Sequence, residues 1–198
     1  MIRLIIVVLF VVLFLILSIP IMFVEWIIGK FNPGVKDRSS LAIVNWAFRV
    51  VLFLAGTKDT PVLYVGNHRS FFDVVITYTK VARVTGYIAK KEIEKVPLLR
   101  NWMRNLHCLF LDRKDIKAGL KTILEAIELM KCGISICIFP EGTRNKVADT
   151  FLPFHEGSFK IAQKANCPIV PITINNSAAV LEDHFPKIRK AHVVVEYG

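Results

Sequence analysis

The sequence predicts an α/β fold: a mixed, largely parallel sheet flanked by helices, with an N-terminal two-helix membrane-associating segment. Three observations carry this. From Pro61 onward, short apolar runs bounded by turn residues alternate with helical periods. Three of those runs end in polar residues, at the place where open α/β sheets keep their chemistry. Ahead of them, Leu4 to Val24 is 21 residues without a charge, about 31 Å as a helix and enough to cross the hydrocarbon of a bilayer. The expected division is residues 1–55 as membrane-anchoring helices and residues 56–198 as the α/β domain.

At the amino end, a cleaved signal peptide competes with a retained anchor. The apolar run is too long for a signal, only Arg3 precedes it, and Glu25-Trp26 stands where a small-residue cleavage site would be. A retained anchor is expected, with Pro20 as a possible kink that would turn a straight span into a re-entrant path. Asn32-Pro33-Gly34 marks a turn within the linker Phe31 to Ser40. Leu41 to Leu54 is a second apolar segment, about 21 Å as a helix. Arg49 at mid-bilayer would cost about 2.5–3.5 kcal/mol, so this segment is expected at the interface, where Trp46, Phe48 and Phe53 fit. Lys30, Lys36 and Arg38 outnumber Arg3. That bias places the body on the cytoplasmic side of the cell membrane.

The body then reads in order. Val62–Val65 is a strand and Phe71–Val84 a helix; Tyr87–Ala89 is a short strand. Pro97 opens a helix over Leu98–Leu106, and Leu109–Leu111 is a strand ending at Asp112-Arg113. Asp115 caps a helix whose apolar set is Ile116, Leu120, Ile123, Leu124, Ile127 and Met130, stopped by Gly133. Ile134–Phe139 is a buried strand ending in Pro140 to Arg144. A polar loop leads to Phe154-His155-Glu156-Gly157 and a short helix from Ser158. Ile169–Ile174 and His192–Glu196 are the last strands.

Composition narrows the function. Lys and Arg number 26 against 16 Asp and Glu, a net charge of +10. Residues 1–29 hold only Arg3 and Glu25, so the body carries the whole excess. A basic body behind an apolar end suits an anionic surface: phospholipid head groups, an acidic partner or nucleic acid. No aromatic-basic stripe or nucleic-acid motif supports the last. Cys108, Cys132, Cys137 and Cys167 make no C-x-x-C pair and have no His at ligand spacing, so no metal is expected. They read as core residues of a chain in a reducing compartment.

The chemistry centres on His68 and Asp73, at the end of the first strand of the body. Across a loop-to-helix joint the carboxylate can hold the imidazole, fix its tautomer and stabilise the imidazolium. Arg113 and Arg144, at two other strand ends, are planar forks suited to phosphate or carboxylate. Gly142 allows close backbone approach to a ligand, and Glu141 could orient a hydroxyl or pair with an Arg. No nucleophile elbow, P-loop or H-E-x-x-H occurs. A base without its own nucleophile fits direct attack by a substrate hydroxyl.

NHRSFFD, the KKEIEKVP to FLDR run, FPEGTR and VPITI resemble, in order, the four motif blocks of the glycerolipid acyltransferases, above all the 1-acylglycerol-3-phosphate (lysophosphatidate) acyltransferases. The likeness spans about Pro61 to Ile174. It implies His68 and Asp73 as the catalytic pair, and Asn67, Lys91, Arg113, Glu141, Gly142, Thr143 and Arg144 on the substrate side. It further implies no cofactor, an acyl-carrier-protein or coenzyme A thioester as donor, a lysophospholipid as acceptor, and helices that dock on membrane lipid. Glycerol-3-phosphate or another lysophospholipid is the alternative acceptor, and a non-catalytic anionic-lipid adaptor the alternative function. The family usually has Gly where His107 stands and a basic residue where His155 stands. It often has an extra strand near Gly56–Thr60 and continues past Gly198, so either a compact member or a chain lacking those segments is expected.

Overall fold

The computed structural model describes residues 2–56, 60–81, 83–147 and 150–198. The chain forms two compact units, Met1–Asp59 and Thr60–Gly198. The boundary expected at 55/56 adjoins residues 57–59, which lie outside the described residues, as does most of the connector where an extra strand was considered.

The first unit is three helices: α1 (Ile2–Leu17), α2 (Ile19–Phe31) and α3 (Pro33–Ala55). The run expected as one helix is broken at Ser18, where α1 and α2 meet at 48°. Pro20 has no N–H, and its ring crowds the carbonyl of residue 16, so the helical ladder fails there. The Ser18 hydroxyl turns back to the Leu15 carbonyl at 2.9 Å. The expected long linker shrinks to Asn32. Its side chain accepts from the Val35 N–H at 3.1 Å, and Pro33 at the first helical position starts α3 rather than delaying it. The second segment is therefore 23 residues, not 14, and long and apolar enough to cross a membrane. Trp46, expected at an interface, packs against Phe10 and Phe14.

The second unit is a six-stranded sheet: β1 (Leu63–Gly66), β2 (Thr85–Lys90), β3 (Leu109–Leu111), β4 (Ser135–Ile138), β5 (Ile169–Asn175) and β6 (Val194–Tyr197). The spatial order is β3-β2-β4-β1-β5-β6. The first five strands run parallel, and β6 closes the edge antiparallel to β5. Alternation along the strands feeds two cores. Leu63, Val65, Ile136 and Ile138 face α6 (Ile116–Lys131) and α7 (Lys160–Ala165). Cys137, Phe139, Tyr87 and Ile172 form the other core, which Tyr78, Met103 and Leu106 cover. Tyr78 ends α4 (Phe72–Tyr78), and Met103 lies on α5 (Leu99–Asn105).

Two helices differ from expectation. α4 stops at Tyr78 instead of Val84; residue 82, within the expected stretch, lies outside the described residues. Val74, Val75, Ile76 and Thr77 are all β-branched and hold a helix poorly. The hydroxyls of Thr77 and Thr79 take the carbonyls of Asp73 and Ile76 at 2.7 and 2.8 Å. On α6 the Asp115 cap is as expected, accepting from the N–H groups of Lys117 and Ala118. Its buried stripe, however, is Thr122, Ala126, Ile127 and Met130, while Ile116, Leu120 and Leu124 are exposed. Packing against β4 and α7 selects that face. Of the cysteines, Cys108 and Cys137 are core residues, but Cys132 is exposed because it caps the end of α6.

Candidate active site

The site is built on the carboxyl ends of β1 and β4, which are hydrogen-bonded neighbours. The chain leaves β1 at Gly66 and turns into α4 over residues 67–71. Unpaired N–H groups in such a turn need acceptors, and carboxylates supply them. The His68 N–H donates to Glu141 Oε1 at 2.8 Å. The Arg69 and Ser70 N–H groups donate to Asp73 Oδ2 at 2.7 and 2.8 Å. The Phe71 N–H donates to Glu182 Oε1 at 2.8 Å. Four successive backbone donors thus end on three acids.

Asp73, fully buried, also takes the His68 imidazole: Nδ1 to Oδ2 is 2.8 Å. A carboxylate there holds the proton on Nδ1 and leaves the lone pair on Nε2. The ring lies stacked on Phe139, centroids 4.4 Å apart and planes 16° apart. Phe139 reaches it because position 66 is glycine: a Cβ there would fall 3.0 Å from the Phe139 ring. The result is an oriented imidazole whose Nε2 has no hydrogen-bond partner among the described residues, an arrangement that general-base chemistry can use.

The remaining expected residues divide by what they touch. Asn67 is committed to the scaffold: its amide donates to the Ile174 carbonyl at 2.9 Å and accepts from the Ile174 N–H at 2.8 Å, continuing the pairing of β1 with β5 beyond Gly66. Glu141, 3% exposed, spends both oxygens on backbone, the second accepting from the Leu152 N–H at 2.9 Å. It therefore braces the loop after β4 against the His68 turn. Lys91 is exposed and paired with Asp112 at 2.8 Å, which raises the affinity of Lys91 for its proton and lowers that of Asp112. Thr143 is exposed.

Arg144 is half-buried, its guanidinium 3.6 Å from the centroid of the Phe71 ring and its Nη1 donating to Glu182 Oε1 at 3.0 Å. Arg113 lies farther along the same edge of the sheet, β3 being three strands from β1, a step of about 14 Å. It lines a cavity of about 440 Å³ with Ile88, Phe139, Gly142 and His155. Phe139, whose ring carries His68, is thus a wall of that cavity. Desolvation pulls the proton affinity of Arg113 down, and nearby Glu92 pulls it back. The two positions set apart in the sequence also find places. His107 has φ +58°, a backbone suited to glycine. His155 packs on Gly142, where a Cβ would come within 2.9 Å of Nε2.

Three site residues escaped sequence reasoning. Phe139 read only as the end of a strand. Asn145, the next residue after the FPEGTR block, donates its N–H to the His68 carbonyl at 2.7 Å. Glu182 belongs to a 3₁₀ turn far along the chain, and no local pattern points to it. Burial opposes its charge, but donors from Ser70, Phe71 and Arg144 outweigh this and hold its carboxyl below the usual range. Nearby thiols are poor nucleophiles. Burial, partly offset by Tyr87, pushes Cys137 up to about 12, and it raises Cys108 as well. Among the described residues no group of three His, Cys, Asp or Glu could hold a metal ion.

Residues 47–175 match the family model described as Acyltransferase. Curated relatives include a chloroplastic 1-acyl-sn-glycerol-3-phosphate acyltransferase of Brassica napus, 36% identical over 126 residues, 63% of this chain and 36% of that protein. The 1-acyl-sn-glycerol-3-phosphate acyltransferase of Borreliella burgdorferi is 31% identical over 144 residues, 71% of this chain and 57% of its own length. The chain thus spans from about a third to somewhat over half of these two relatives. The crystal structure of the 1-acyl-sn-glycerophosphate acyltransferase PlsC from Thermotoga maritima has the same fold, with a TM-score of 0.62 at 22% identity over 100% of this chain and 84% of that one.

Proposed function

The chain belongs to the Acyltransferase family, and from that membership we propose that it moves a fatty acyl group from an acyl thioester to the free hydroxyl of 1-acylglycerol-3-phosphate, giving phosphatidate. The observation that carries this reading is the His68 imidazole held at 2.8 Å by a fully buried Asp73. Nε2 takes the hydroxyl proton as the oxygen attacks the thioester carbonyl. The new C–O ester bond forms, the C–S bond breaks, and the proton passes to the departing thiolate. Asp73 stabilises the imidazolium between those steps. Arg113 and Arg144 offer the acceptor phosphate two guanidinium groups. Relatives named for this acceptor support its choice. Both carrier-protein and coenzyme A thioesters are candidate donors.

We further propose that the apolar helices hold the enzyme on the cell membrane with the second unit on the cytoplasmic side, in keeping with Lys30, Lys36 and Arg38 at the ends of α2 and α3 that meet at Asn32. The test is incubation of the purified protein with radiolabelled lysophosphatidate and acyl thioesters of several lengths on both carriers. Wild type should form phosphatidate, and His68→Ala should lose nearly all of it while partitioning to membranes unchanged. An active His68→Ala protein would sink the mechanism. An inactive wild type would turn attention to glycerol-3-phosphate and other lysophospholipids as acceptors.

A further inference from the structure

Building on that reading, we infer that Glu182 is a positioning residue for the acceptor phosphate, setting the guanidinium of Arg144 and tying it to the turn that carries His68. Glu182 lies outside the stretch that matches the family, residues 47–175, in a 3₁₀ turn between β5 and β6. It accepts from three partners. Oε2 takes the Ser70 hydroxyl at 2.6 Å; Oε1 takes the Phe71 N–H at 2.8 Å and Arg144 Nη1 at 3.0 Å.

Those partners are not equivalent. Ser70 and Phe71 lead from His68 into α4, whereas Arg144 closes the Glu-Gly-Thr-Arg loop after β4. One carboxylate thereby links the base-bearing turn to a cation from another strand. The Phe71 ring fixes the plane of the Arg144 guanidinium from one face, at 3.6 Å, and Glu182 fixes its rotation within that plane through Nη1. With plane and rotation both set, the guanidinium's other N–H groups keep one direction, which a tetrahedral phosphate can meet without reordering the side chain. Glu182 itself need not touch the substrate.

The test is steady-state kinetics of the full-length protein in detergent micelles, with lysophosphatidate varied at saturating acyl thioester. Glu182→Ala should raise the acceptor KM by roughly tenfold or more, as expected for losing charge-assisted hydrogen bonds that organise binding, while kcat falls by a smaller factor. Glu182→Gln keeps an oxygen for Arg144 and Phe71 and an amide facing Ser70, so it should restore most of the KM and guards against a variant that merely misfolds. In an Arg144→Ala background, Glu182→Ala should raise KM no further. Equal KM values for wild type and Glu182→Ala, or effects of Glu182 and Arg144 that multiply independently, would overturn this inference alone. A wild type inactive toward lysophosphatidate would overturn it together with the proposed function.

Discussion

The tips of β1 and β3 lie on the same edge of one sheet yet are built in opposite ways. At β1 every backbone donor from His68 to Phe71 ends on a carboxylate, and the imidazole is fixed by Asp73 beside it and Phe139 beneath it. At β3 the Arg113 side chain forms no ion pair among the described residues and faces an open cavity. The lesson concerns where rigidity is spent. Under the proposed mechanism, proton transfer needs a closely held nitrogen, and the cross-bracing of that turn would supply it. Arg113 is left to adjust to whatever enters that cavity, whereas Arg144, nearer the braced turn, is preset by Phe71 and Glu182.

Changes at the β1 tip should break the contrast most severely. Asp73→Asn removes the anion and offers an NH₂ group to the imidazole, so kcat should fall by roughly 10²–10⁴ with little change in acceptor KM; an unchanged kcat would show the turn is scaffold only. Next comes Glu141→Ala, which strands the His68 and Leu152 N–H groups. About 1–3 kcal/mol of stability should be lost for each buried donor left unpaired, read from urea unfolding, and activity should fall with it.

Arg113→Ala sharpens the other side: it should raise acceptor KM with kcat nearly kept and the melting temperature unchanged, since few native contacts are lost. Smaller still is a pH effect. The Glu182 carboxyl is held below the ordinary 4.5, so its stabilisation is complete above that value and is lost as pH falls through the lowered one. The stability gap between wild type and Glu182→Gln should therefore narrow in acid, and a gap constant with pH would count against the charge. Lys91→Ala, which removes an exposed pair with Asp112, should leave the urea unfolding midpoint almost where it is, because water screens such pairs.

What could be read in advance follows the same division. Leu109–Leu111 was legible to the residue because Asp112 and Asp115 punctuate it. The His68–Asp73 contact was legible because five positions of chain enclose it. Glu141 was singled out for its motif, but that it holds two backbone segments depends on how far Leu152 folds back, which no spacing encodes. On α6, Ile127 and Met130 are buried as expected and Ile123 packs on the core, but Ile116, Leu120 and Leu124, equally apolar, lie off the face that β4 and α7 cover. The break at Ser18 was signalled by Pro20, whereas α3 outran its turn signal because a proline that ends one helix can equally begin the next.

Gly66 has a reach beyond its own turn. With no methyl there, the ring of Phe139 rises against the main chain, with Ile172 close behind, and the imidazole rests on that ring. A single added carbon at position 66 would press through one aromatic layer and tilt a second that it never touches. The altitude of the base above the sheet is thus written into the smallest side chain at the site, and Gly66→Ala should shift catalytic rate before it disturbs folding.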